Sequence, residues 1–139
     1  MRNSLVCSEE REVDNVNLKV KLYLENSQGK FMGIGVLWLL QQVQACGSLR
    51  AAATQLGISY SKAFRMVENL ESSLGVEVLE RRHGGMNRSG ASLTKFGESF
   101  IALYDDFQKQ CKGLLDKPFS EFSDKLDKML VSEKAKRVL

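Results

Sequence analysis

Three features of the 139-residue chain predict a mainly α fold with a small β component. Two short apolar helical stripes meet at a Gly-containing corner between Gly47 and Gly75. A basic, Gly-rich segment flanked by β-prone runs follows at once. The formal charge excess of +3 lies wholly on that region: residues 48–97 hold seven basic and four acidic side chains, whereas the flanking stretches balance five against five and eight against eight. With 43% hydrophobic residues the length suits one core.

Taken in order, residues 1–16 are polar, carry the run from Glu9 to Asp14, and are expected to lack fixed structure. Leu18–Glu25 alternates apolar with polar and reads as a strand with one buried face. Residues 26–30 supply a turn and Phe31-Met32 a brief return, giving an N-terminal strand or hairpin. Gly33 to Cys46 reads as a helix whose apolar arc (Val36, Leu37, Trp38, Leu39, Leu40, Val43, Cys46) is wider than a single core contact needs. Either a subunit interface or cover from several sides within one subunit accounts for that width.

Ser48 can cap the next helix, its hydroxyl accepting from free first-turn amides. Leu49, Ala52, Ala53 and Leu56 form the apolar face, and Gly57 stops the helix because Gly adopts the left-handed terminal conformation cheaply. Ile58 plugs the corner, and Ser59 caps a second helix that buries Ala63, Val67, Leu70 and Leu74 at 4-3-4 spacing before Gly75 ends it. Small side chains at Ala52 and Ala53 let the helices cross closely. This is the helix-turn-helix pattern, which presents its second helix to a DNA major groove. The opposite face carries Ser61, Lys62, Arg65, Glu68, Asn69 and Ser72. It is basic and hydroxylated toward the N-terminus, the end that would meet DNA, and acidic only farther along, at Glu68 and Glu71. An ordinary solvated helix face is the plain alternative.

Val76–Glu80 and Ala91–Leu93 can pair as a two-stranded wing. Its tip, residues 81–90, holds Arg81, Arg82, His83 and Arg88 and no acid, with glycines that permit close backbone approach. The strand-loop-helix pattern with Lys-Ser/Thr that a nucleotide-cradling loop requires is missing. A wing setting arginines against phosphate or in a minor groove fits the residues better. Thr94 can cap a helix to about Leu115, with Phe100, Tyr104, Phe107, Cys111 and Leu114 in a heptad-like seam. Pro118 is expected to break it, and Phe119, Phe122, Leu126 and Met129 or Leu130 suggest a short second amphipathic helix. These stripes become dimer surface if one small domain cannot cover them all. The expected organisation is therefore a winged helix-turn-helix over 17–115 and a C-terminal amphipathic helix and tail over 116–139.

Cys7, Cys46 and Cys111 are odd in number and far apart, and His83 is the single histidine, so neither a zinc site nor a disulfide framework is expected. Cys46 and Cys111 fall at apolar helix positions, where core packing is the expectation. No signal peptide is apparent, and Ile34–Cys46 is too short to span a bilayer. No acid–base pair, nucleophile constellation or metal set supports an enzyme, and no cofactor is implied.

Gly47–Ser59 followed by Leu70–Arg81 resembles the winged-helix domain of LysR-type regulators. Ile58–Leu70, then His83–Tyr104, is similar to the N-terminal domain of the molybdate-dependent regulators (ModE-like proteins), in which a "SYK-AW" helix start and a Gly-rich wing ending in "LT--G" are typical. The resemblance covers roughly Leu18 to Phe107. Phe64 stands where that family usually has Trp, Ser61-Lys62 replaces a Lys-Arg or Lys-Ser pair, and Met86–Ser89 replaces wing glycines. Neither that family's oxyanion module nor a LysR-type effector domain follows in these residues.

The resemblance, the turn chemistry and the charge placement together imply a cytoplasmic prokaryotic transcriptional regulator. It is expected to bind duplex DNA at an inverted repeat, as a homodimer. Ser48, Ser59, Tyr60, Ser61, Lys62 and Arg65 are the expected contacts on the helical unit, and Arg81, Arg82, Arg88 and His83 those on the wing. The alternative is a winged-helix protein-interaction module that does not bind DNA.

Overall fold

A computed structural model of the chain describes residues 16–81 and 90–138. Cys7 and the polar N-terminus expected to lack structure fall outside the described residues, as do Arg82, His83 and Arg88. Two units emerge, one over Lys21–Lys112 and one containing the segment before Lys21 and the segment from Gly113 onward.

The first unit begins with a hairpin of β1 (Leu24–Asn26) and β2 (Gly29–Met32), antiparallel and irregular between Leu24 and Glu25. The strand expected over Leu18–Glu25 is thus confined to its end. Its partner has only four residues before the next helix starts, so nothing remains for residues 18–23 to pair with. Instead the Tyr104 hydroxyl donates to the Leu22 carbonyl at 2.8 Å.

Helix α1 (Ile34–Cys46) is the centre of the unit, with Leu37, Leu39, Leu40 and Val43 buried. Leu37 and Leu39 lie on different sides of a helix, so the wide arc is largely covered within the subunit. Trp38 stays 52% exposed. Cys46, expected in the core, is exposed as well, its thiol 3.5 Å from the Gln42 side-chain oxygen. As the last residue of α1 it lies beyond the buried stretch. Helices α2 (Leu49–Leu56) and α3 (Tyr60–Leu74) add Leu49, Ala52, Ala53, Ala63, Val67 and Leu70 to the core. Gly57 between them has φ +72°, a conformation that strains residues with a Cβ, and the Ile58 amide reaches back to the Ala53 carbonyl at 3.0 Å.

The second hairpin pairs β3 (Leu79–Arg81) with β4 (Ala91–Leu93), antiparallel, with Leu79, Ala91 and Leu93 turned into the core. Thr94 joins it to α4 (Lys95–Leu114). The Thr94 hydroxyl accepts from the Gly97 amide and donates to the Glu77 carbonyl, both at 2.9 Å, and the Thr94 amide donates to the Val78 carbonyl at 2.9 Å. A Cβ on Gly97 would lie 2.4 Å from the Val78 carbonyl oxygen, so only glycine allows α4 to approach the chain this closely. The "LT--G" spacing is thus a single clamp.

Helix α4 buries Gly97, Ile101, Tyr104 and Gln108, leaving Leu103 and Phe107 exposed and Phe100 half-buried. The seam read from sequence therefore divides. Tyr104 belongs to the core and Phe107 to the surface, because the packed stripe passes through Gly97, the point of closest approach. Cys111 is half-buried.

In the other unit, α5 runs from Asp116 to Val138. It is much longer than the short helix expected, and it absorbs the basic tail. Pro118 sits in its first turn, where a missing amide costs nothing, so the break comes at Leu115. Phe122, Met129 and Val131 of α5 are exposed. No described helix is long and apolar enough to cross a membrane.

Burial, and secondarily Tyr23, push the Tyr104 phenol above its ordinary value of 10.0. The unfolded chain releases that proton at a lower pH than the folded one. The contribution of Tyr104 is therefore complete below pH 10 and declines as pH rises beyond it. Tyr104→Phe is expected to lower stability at neutral pH by about 1 kcal/mol, through loss of the hydrogen bond to Leu22. The gap to wild type should narrow above pH 10. Urea unfolding at a series of pH values checks both.

Candidate nucleic-acid interface

The outer side of α3 is built by its caps. The Ser59 hydroxyl accepts from the Lys62 amide at 3.1 Å, and the Ser48 hydroxyl does the same for α2 from the Ala51 amide at 3.0 Å. Both serines are thereby committed to starting the two helices in register. With Ala63, Val67 and Leu70 inward, α3 presents Tyr60, Ser61, Lys62, Arg65, Glu68 and Ser72 to solvent. Lys62, Arg65, Met66, Glu68, Asn69 and Ser72 line an open groove along the helix. Neither Lys62 nor Arg65 forms an ion pair among the described residues. The first turn of α3 contains no acid, so its helix-dipole charge and two cations point the same way. Asn69, placed on the reading face by its spacing, instead donates its side-chain amide to the Lys30 carbonyl at 3.0 Å and ties α3 to the first hairpin.

Arg81, the one wing arginine among the described residues, is engaged within the protein. Its guanidinium lies 3.9 Å from the Glu71 carboxylate and 5.4 Å from the centre of the Phe64 ring. Both partners belong to α3, so the first wing strand leans on that helix. Glu71 holds that arrangement. One of its carboxylate oxygens accepts from the amides of Val78 (2.8 Å) and Leu79 (3.1 Å), the entry to β3, while the other faces Arg81. The return strand is fixed elsewhere: the Ala91 amide donates to the Gly47 carbonyl at 2.9 Å, and Ser48 bridges Gly90.

Sequence reasoning missed two residues. Glu71 reads as a surface acid, because its partners lie beyond a helix end and a turn. Arg50 enters the sequence only as a charge on α2, yet its guanidinium lies 4.2 Å from the centre of the Tyr60 ring. Tyr60 in turn lies against Phe64, with ring centres 6.2 Å apart and tilted by 32°. Arg50, Tyr60, Phe64 and Arg81 thus form one row, two adjacent rings with a guanidinium at each end.

Residues 35–98 match the family described as bacterial regulatory helix-turn-helix protein, lysR family. The transcriptional regulator ModE of Haemophilus influenzae is 33% identical over 89 residues, covering 64% of this chain and 35% of that protein. The transcriptional regulator ModE of Yersinia pestis is 38% identical over 88 residues, covering 63% of this chain and 33% of that protein. The chain thus spans about a third of the length of these curated relatives. Among solved structures, a CbnR_DBD–DNA complex superposes with a TM-score of 0.52 at 28% identity, covering 65% of this chain and 98% of that one.

The Glu71 carboxylate generates a stability prediction. Glu71→Ala strands two amide donors and should cost about 2–3 kcal/mol in chemical denaturation. It should also accelerate amide hydrogen exchange at Val78 and Leu79. Glu68→Ala, on the exposed face, should change stability by less than about 0.5 kcal/mol.

Proposed function

Because residues 35–98 form a winged helix-turn-helix similar to that of LysR-family and ModE regulators, we propose that this chain binds duplex DNA sequence-specifically and regulates transcription in the cytoplasm. The observation that carries the reading is the outer side of α3. Ser61, Lys62 and Arg65 are exposed near its N-terminal end, with no acid in the first turn and no ion pair among the described residues. A recognition helix needs that end free, since it enters the groove first. Arg65 and Lys62 reach base edges, and Ser61 and Tyr60 border them. Ser48 and Ser59 act by capping the two helices, so that first-turn amides face the phosphates. On the wing, Arg82, His83 and Arg88 supply backbone contacts. Arg81 joins them with part of its charge already offset by Glu71, so it contributes less than the other two arginines.

We propose further that the chain works as a homodimer on an inverted repeat. One recognition helix reads too few base pairs for a genomic site, and two-fold pairing doubles the footprint. Leu103, 69% exposed, and Phe107, 49% exposed, share the free face of α4, and Trp38 is a second exposed anchor on α1. Tyr104 is excluded from this surface by its burial.

Two measurements test the reading. In a salt titration on random duplex, wild type should show a steep log–log slope, whereas a protein-interaction module would show none. Arg65→Ala should cost about 1–3 kcal/mol on a sequence selected from a random pool, and much less on random duplex. Equal losses on both would make Arg65 a phosphate contact.

Sedimentation equilibrium should report a dimer in the micromolar range. The double variant Leu103→Glu, Phe107→Glu should be a folded monomer that binds the palindrome poorly. A variant that stays dimeric would remove α4 from the interface.

A further inference from the structure

The row of rings and guanidinium groups contains a cation that no part of the sequence pattern assigns. Arg50 is the second residue of α2 and the only charged residue on that helix. It is exposed and forms no ion pair among the described residues. Its backbone carbonyl accepts from the Thr54 hydroxyl at 3.1 Å, so that hydroxyl is engaged away from the guanidinium. The Tyr60 ring, 4.2 Å from the guanidinium carbon, covers that group instead. Tyr60 opens α3 and is itself steadied by Phe64 one turn along.

We propose that Arg50 contacts a phosphate of the DNA backbone, and that Tyr60 is the positioning residue that holds its guanidinium with the N–H edge outward. The inference rests on the DNA-binding reading above and adds a contact to it. A ring centred 4.2 Å from the guanidinium carbon leaves N–H donors on the far side of the group, so ring contact and phosphate binding use different parts of it. An Arg held in this way loses less rotational freedom on binding than a free one. The source of the phosphate follows from the element: in a helix-turn-helix the first helix crosses the sugar–phosphate backbone while the second enters the groove. The stack also spans α2 and α3, so it fixes the cation relative to the reading face.

The experiment uses the full chain, with affinity measured over a range of salt on random duplex and on a selected sequence. Arg50→Ala should weaken both by a similar factor, about tenfold, as loss of a charge-assisted hydrogen bond does. It should reduce the log–log slope by roughly 0.9. Arg50→Lys should keep the slope and lose part of the affinity. Tyr60→Ala, which removes the ring, should lose a smaller factor, about threefold, and Tyr60→Phe, which retains the ring, should lose less than Tyr60→Ala. In the Arg50→Ala background Tyr60→Ala should cost less than it does in the wild-type background, a non-additivity that a merely structural Tyr60 would not produce.

An unchanged slope in Arg50→Ala overturns the phosphate contact, and a loss confined to the selected sequence makes Arg50 a base contact and overturns it equally. Additive losses overturn the positioning role. A wild-type chain without salt-dependent duplex affinity overturns the DNA-binding reading and this one with it. A wild type with a steep slope beside an Arg50→Ala variant that matches it overturns this inference alone.

Discussion

The approach of α2 and α3 depends on three methyl-sized side chains. Ala52 and Ala63 are fully buried and Ala53 nearly so, in the core that these two helices share with α1. Helices draw close only where side chains are small, and an interior packed at crystal-like density does not yield to an added methylene without strain of about 1–3 kcal/mol. The crossing sets the direction of α3 and therefore which residues reach solvent. Lys62 and Arg65 are outward because Ala63 and Val67 are inward on the neighbouring positions. The Arg50–Tyr60 stack exists only because the helices are near enough for a residue of one to cover a residue of the other.

What was legible in the sequence was local. The caps at Ser48 and Ser59 and the stop at Gly57 were visible because each acts within four residues of itself. The apolar stripe of α3 was legible for the same reason: a helix fixes its own periodicity. The features that eluded sequence reasoning involve partners far along the chain. Glu71 reaches across a turn to Val78 and Leu79, Asn69 reaches back to Lys30, and Tyr104 reaches to Leu22. A heptad-like seam says that one side of α4 is apolar. It does not say which half of that side the core takes, and a close approach at Gly97 decided between Tyr104 and Phe107. The first strand was overestimated because alternation reports a possible strand, whereas pairing needs a partner of equal length.

Of the site residues read from sequence, those on α3 occupy a common exposed side, and the capping serines lie at the helix starts that define it. The charged groups fall into two kinds. Lys62 and Arg65 hold no internal partner among the described residues, so a polyanion meets them without competition. Arg81 faces Glu71 and Phe64, so part of its charge is already offset within the protein. Formal charge counts the two kinds alike, but their availability differs.

The second hairpin is attached at both ends to the helices it accompanies. Its outgoing strand is held by the Glu71 carboxylate at the C-terminal end of α3, and its returning strand by Gly47 and Ser48 at the start of α2. The chain from Gly47 through α2, α3 and the two strands to Ala91 is therefore a closed circuit, latched by hydrogen bonds rather than by a covalent bond. Its strands and its reading helix would arrive at a target already in fixed relation, with the conformational entropy of that relation lost during folding rather than at the encounter. On the proposed DNA-binding reading, selectivity in such a body would come from fit: a duplex whose groove spacing departs from the circuit would have to bend or be refused.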